Sequence, residues 1–219
     1  MTNTIKTSQQ SGRSMVEMLG VLAIVGVLSI GGIAGYSKAM AKYKINKTLD
    51  QVSMIIAGIR TAYGNQNSYT GLSNTTAINA EIVGSDLTLG SGSKLTNAYA
   101  GDITLHAGTV KTSDKSFTAC ADNASANNTY CPAFSIEVTN IDKTACATIA
   151  SSDWGGTAGS GLFSIAIKSG TSEASTHTWS DNGGDTGLPI DYMTALKQCG
   201  GTGTNAGAYS TATITWVYY

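Results

Sequence analysis

Glu17 stands at the mouth of an almost wholly apolar run, residues 18–36, that carries no charge of its own. A carboxylate at the edge of hydrocarbon is costly. Neither a secretory signal peptide nor a simple membrane anchor has a use for one there. The chemistry open to such a group is neutralisation of a cation that would otherwise be buried unpaired. The next distinctive residues are Cys120, Cys131, Cys146 and Cys199. No two of them stand at C-x-x-C spacing, which argues against a metal site. An even count downstream of an apolar segment favours two disulfides in an oxidising compartment. Buried free thiols are the competing reading, and four cysteines leave three pairings open.

Other candidates for chemistry fail their context tests. His106 and His177 lie in polar, Thr-rich sequence without the carboxylate and serine context of a triad, and they read as surface residues. The stretch GTGTNAG (201–207) has the glycines of a phosphate loop, but it follows a helix and opens none. The stretch SDNGGD offers Asp181 and Asp185 as oxygen ligands of a calcium loop. It lacks the later bidentate glutamate and reads as a turn, so no metal and no cofactor are expected. Trp154, Trp179 and Trp216 read as core rather than as adhesive surface. Paired carboxylates and a nucleophile elbow are both missing, and the chain does not read as an enzyme.

The totals agree with an exported protein. Of 219 residues only 12% are charged, with net charge −1, against roughly 25% charged in an ordinary soluble domain. Surface polarity must come from Thr, Ser, Asn and Gly. The balanced charge and the lack of a Lys/Arg cluster argue against a nucleic-acid partner, for which the sequence gives no direct signal.

The elements that position these residues start with a helix. Nineteen residues, 18–36, span about 28 Å as a helix, enough to cross a bilayer core. Gly20, Gly26, Gly31, Gly32 and Gly35 would weaken a helix in water by roughly 1 kcal/mol each, but they are tolerated in a membrane. Beyond Tyr36, Ile45, Leu49, Val52, Ile56, Ile59 and Tyr63 recur at steps of four and three, one apolar stripe on a helix. Lys42, Lys47, Asp50 and Arg60 fall off it. Without an internal proline, one helix over residues 14–63 could reach roughly 75 Å. GNQNSYTG (64–71) ends it.

Downstream, residues 72–115 read as loop with brief strands. AFSIEVT (133–139) alternates as a half-buried strand. NIDKTACATIASS follows as a short helix capped by Asp142, and GLFSIAIK (161–168) reads as a strand. LPIDYMTALKQCGG is a helix with Pro189 near its first turn, and STATITWVYY closes the chain as a strand. The expected class is α+β: a long N-terminal helix packed on a head with an antiparallel or mixed sheet.

SG|RSMVEMLGVLAIVGVL resembles the class III leader of type IV pilins. In that family a prepilin peptidase cuts after a glycine and the new amino terminus is N-methylated. A glutamate stands fifth in the mature chain. The resemblance implies cleavage between Gly12 and Arg13, methylation of Arg13, and Glu17 as the assembly residue that neutralises the terminal ammonium of a neighbouring subunit. It implies a leader over 1–12, a helix over 13–63 with 18–36 as membrane span and later fibre core, and a pilin head over 64–219. The order of strands, helices and cysteines in the head resembles the type IVb pilins, the group of toxin-coregulated pilin and the thin-pilus pilins of conjugative plasmids. That resemblance implies a Cys146–Cys199 disulfide, leaving Cys120 and Cys131 to pair.

The implied role is a major pilin, with identical subunits in a helical filament, prepilin peptidase and the inner membrane before assembly as partners, and an extracellular pilus as destination. A minor pilin or secretion pseudopilin is the related alternative, and a monomeric membrane-anchored binding protein the unrelated one. Counting Lys38, Lys42, Lys44 and Lys47 against Lys6 and Arg13 would put the head in the cytoplasm. The cysteines and the family resemblance put it outside.

Overall fold

The computed structural model describes residues 15–88, 92–113, 115–120, 130–155, 160–170, 174–178, 187–200 and 209–219. Helix α1 runs Met15–Tyr63 without a break. The chain forms two compact units, one ending at Lys42 and the other spanning Tyr43–Tyr219. The second unit takes in the C-terminal part of α1, whose Val52, Ile55, Ile59 and Tyr63 belong to its hydrophobic core.

Within that unit come α2 (Asn74–Asn79), β1 (Leu95–Thr96), β2 (Asp102–Lys111), β3 (Ser116–Ala119), β4 (Ala133–Asp142), α3 (Lys143–Ala150), β5 (Leu162–Ser169), β6 (Ser175–Thr178), α4 (Tyr192–Cys199) and β7 (Thr211–Tyr218). A 3-10 turn lies at Ser85–Leu87. The strands form one sheet in the order β1-β2-β4-β7-β5-β6, with β3 also on β2. Every named strand pair is antiparallel. The C-terminal strand is therefore central rather than an edge. One row crosses the sheet through Leu105, Ile136, Trp216, Ile165 and His177. All five are nearly inaccessible to solvent, so this face is the core face.

The loop region expected over 72–115 is more regular than its Thr- and Gly-rich composition suggests. It holds α2, capped by Ser73, and the ten-residue β2. Gly101 at the start of β2 is required there, since a Cβ would stand 2.0 Å from the Thr139 carbonyl oxygen. Strand β4 is buried more completely than half-buried alternation implies, with Ser135 only 3% exposed, because β2 and β7 flank it.

Asp142 occupies the N-cap of α3 but makes no side-chain capping bond. The Lys143 amide donates instead to the Ser210 carbonyl at 2.9 Å. Pro189 lies just ahead of α4, before its cap. Asp191 is its cap and accepts from the Met193 and Thr194 amides at 3.0 and 3.1 Å.

The buried face of α1 is also turned relative to the apolar stripe. Thr48 and Gln51 join Val52, Ile55, Ile59 and Tyr63 inside, while Ile45, Leu49 and Ile56 are only partly buried. A hydrophobic pattern cannot place a polar residue in a core. Among the described residues, Thr48 Oγ1 and Gln51 Oε1 have no hydrogen-bond partner.

Candidate assembly site

In the first unit α1 is apolar on every side. Val16, Leu19, Leu22, Ile24, Val27, Leu28, Ile30 and Ile33 are all more than 60% exposed. Such a surface in water is untenable without a cover of lipid or protein. The few polar groups are folded back onto the helix. Ser29 Oγ donates to the Val25 carbonyl at 2.7 Å and Ser37 Oγ to the Ile33 carbonyl at 3.0 Å. Cβ atoms built on the five glycines meet nothing within 4 Å, so another helix could come close there. Glu17 lies in the first turn, where a carboxylate favours the helix dipole by about 0.3–1 kcal/mol. Among the described residues no cation pairs with it.

In the second unit the cations of α1 are engaged. Lys44 Nζ sits 5.4 Å from the Tyr99 ring centroid. Lys47 Nζ donates to Asp86 Oδ2 at 2.5 Å, and this bond raises the Lys47 pKa. Arg60 donates to the Ser160 carbonyl at 2.5 Å and its guanidinium lies 4.9 Å from the Tyr218 ring. Burial pushes the Tyr218 hydroxyl well up, with Arg60 opposing. From there an aromatic chain runs Tyr218, Phe134, Tyr69, Tyr63, with centroid separations of 5.4, 4.7 and 5.6 Å.

Cys146 on α3 is bonded to Cys199 on α4, with Cα atoms 6.0 Å apart. Cys120 after β3 is bonded to Cys131 before β4, at 6.5 Å. The Cys146–Cys199 bridge encloses β5, β6 and α4. Within that region His177, expected at the surface, is 1% exposed. Antiparallel pairing sets it opposite Ile165 on the core face, and its Nε2 lies 2.7 Å from Gln198 Oε1. Ser169 Oγ donates to the Gln198 carbonyl at 2.8 Å. His106 is half-buried on β2 in register with Ser135. Trp216 is core, and its ring centroid lies 4.8 Å from that of Trp154. Gly12, Arg13, Trp179, Asp181, Asp185 and residues 201–207 lie outside the described residues.

A family model described as PilS N terminal matches residues 42–217. The chain belongs to that family and is a type IV pilin. The match begins after the apolar half of the pilin's α1, so it does not touch Glu17. The major structural subunit of bundle-forming pilus from Escherichia coli O127:H6 (strain E2348/69 / EPEC) is 24% identical over 146 residues, which is 67% of this pilin and 66% of that protein. The protein of the same description from Escherichia coli O111:H- is 23% identical over 146 residues. The pilin thus spans just under two thirds of the length of the curated relatives it matches.

Two solved structures are similar in shape. A type IV b pilin from Salmonella typhi has a TM-score of 0.46 at 17% identity, covering 78% of this pilin and 97% of that chain. TcpA, a type IV pilin from Vibrio cholerae El Tor biotype, has a TM-score of 0.47 at 10% identity, covering 81% and 99%.

Proposed function

We propose that this pilin is the major subunit of a type IV pilus of the IVb kind, with a structural rather than catalytic role. The supporting observation is α1, whose N-terminal part exposes apolar surface on every side while its C-terminal part is built into the head's core. One surface of that kind serves two states in turn. It lies in the inner membrane before assembly and packs against sister helices in the filament afterwards. Prepilin peptidase cuts between Gly12 and Arg13, and the new terminus is N-methylated. The Arg13 ammonium then enters apolar surroundings, where an unpaired charge is prohibitive. Glu17 of a neighbouring subunit neutralises it and fixes axial register. A head-to-tail contact of this kind does not close into a ring and so propagates as an open helical fibre. The filament is extracellular and serves adhesion, aggregation, motility or DNA transfer.

Intact-mass spectrometry on filaments sheared from cells tests this. The expected dominant species begins at Arg13, carries one added methyl, and gains the mass of about four hydrogens on reduction of two disulfides. A processed chain confined to membranes would instead support the minor pilin or pseudopilin. Retention of residues 1–12 would overturn the reading. Glu17→Ala separates both pilin roles from a plain anchor, because an anchor tolerates the change and a fibre subunit does not.

A further inference from the structure

Four lysines follow the apolar run of α1, and the fold engages only two of them. In the second unit Lys44 sits over the Tyr99 ring and Lys47 bonds Asp86. In the first unit Lys38 and Lys42 are exposed, and neither has an ion-pair partner among the described residues. Their spacing of four sets them about one turn apart on the same side of the helix, where like charges repel and weaken it. No acidic residue occurs between Glu17 and Asp50. Glu17 itself lies about 32 Å from Lys38 along the axis. The first unit therefore ends in two positive charges that no carboxylate within it offsets.

Orientation does not explain the pair. Cations tend to stay on the cytoplasmic side of a span, whereas two disulfides put the head in an oxidising compartment. These lysines are exported against that bias. Their depth supplies another role. Counted from Met18, the apolar segment is long enough to cross the hydrocarbon by Tyr36. Tyr36 is 66% exposed and is of the aromatic type favoured at headgroup level. Lys38 stands about 3 Å further along the axis and Lys42 about 9 Å. Lysine stems lie along apolar surface while the charged head reaches out, so both ammoniums come to the level of lipid phosphates. Each has three donors and no acceptor. A headgroup with net negative charge complements the pair, while a zwitterionic one sets a cation of its own against it.

We propose that Lys38 and Lys42 form a basic collar that gathers anionic phospholipid around α1 on the exported face of the inner membrane. The proposal rests on the membrane-held stage of the function above and names the lipid class that this stage selects. A lysine near an anionic surface favours association about fivefold. The pair therefore predicts local enrichment of roughly fivefold to thirtyfold, weakened by salt.

The full chain carrying Tyr36→Trp, reconstituted in phosphatidylcholine vesicles, tests this. The added indole reports from the depth of the collar, with the unaltered chain as baseline for the native tryptophans. Quenching by brominated phosphatidylglycerol is compared with quenching by brominated phosphatidylcholine. The expected ratio of local association constants is at least about fivefold at low salt and falls as salt is raised. It drops to about one when Lys38→Gln and Lys42→Gln are combined, and Lys38→Arg with Lys42→Arg keeps it. A ratio near one in the reporter chain overturns the proposal, as does a preference that survives both glutamine substitutions. If the lysines instead pair with carboxylates of sister subunits, the double glutamine variant lowers filament yield while the reporter shows no lipid preference, and the proposal again fails. Failure of the filament reading shows separately, as cells without pili, because the vesicle ratio is measured with no filament present.

Discussion

The Asn74 side chain takes the place of a strand at the outer edge of β2: its Nδ2 donates to the Ile103 carbonyl at 2.9 Å and its Oδ1 accepts from the Leu105 amide at 2.8 Å. Strand β1 pairs with β2 at Asp102 and Ile103, and β3 pairs with it from Gly108 onward. Asn74 thus satisfies edge groups in the gap between them. Asn74→Ala leaves both without this partner and is expected to cost about 1–3 kcal/mol, read as a lower denaturation midpoint with the disulfides intact. Asn74→Asp keeps the acceptor but loses the donor, and should fall between the two.

Gly58 reverses the usual helix rule. In an exposed helix interior, Gly→Ala stabilises by about 1 kcal/mol. Here the new Cβ would stand 2.5 Å from the Ile82 carbonyl oxygen, which is backbone and cannot swing aside. Gly58→Ala is expected to destabilise by about 1–3 kcal/mol. A raised thermal midpoint for this variant would show that the contact between α1 and the 82–87 segment is looser than the structure has it.

The two disulfides should differ in weight. Cys146–Cys199 closes a separation of 53 residues and Cys120–Cys131 one of 11. Loop entropy assigns about 4 kcal/mol to the first and about 3 to the second. Paired Cys→Ala variants measured by urea unfolding should rank in that order. The larger loss belongs to the bridge that joins α3 to α4.

Alkaline pH should loosen the head. Burial raises Tyr99 from its ordinary value near 10 to about 12, with Asp142 adding to it. Between those values the native state keeps a proton that the unfolded chain has released, so stability falls as pH rises through this window. Below pH 10 the contribution is constant. Tyr99→Phe should flatten the decline of the unfolding midpoint between about pH 10 and 12. A variant as alkali-sensitive as the parent would exclude Tyr99 as a source. Tyr63, Tyr69 and Tyr218 are also raised by burial and contribute to the sensitivity that remains.

The candidate site was legible only where local pattern suffices. Glu17 and the apolar run are visible in the chain because residue type and position alone mark them, and the groove lined by Lys47, Gln51 and Val83 is not. Its parts come from α1 and from a segment some thirty residues away, and neither has a motif. His177 shows the same limit. Four residues of strand give too little alternation to assign a face, and only pairing with β5 turns the ring inward.

What the sequence determined by itself was everything carried by short-range periodicity and composition. It specified one unbroken helix to Tyr63, strands at the positions of β4, β5 and β7, a helix around each of Cys146 and Cys199, and an apolar N-terminal half in need of a cover. Tertiary structure decided which side of each element faces inward and what lies beside it. It placed β7 between β4 and β5, drew Thr48 and Gln51 into the core, and let Asn74 complete an edge. The reason is physical. A hydrophobic pattern reports a residue's preference for burial, but a polar residue is buried only when packing at long range leaves it no other place, and that depends on partners the local sequence does not contain.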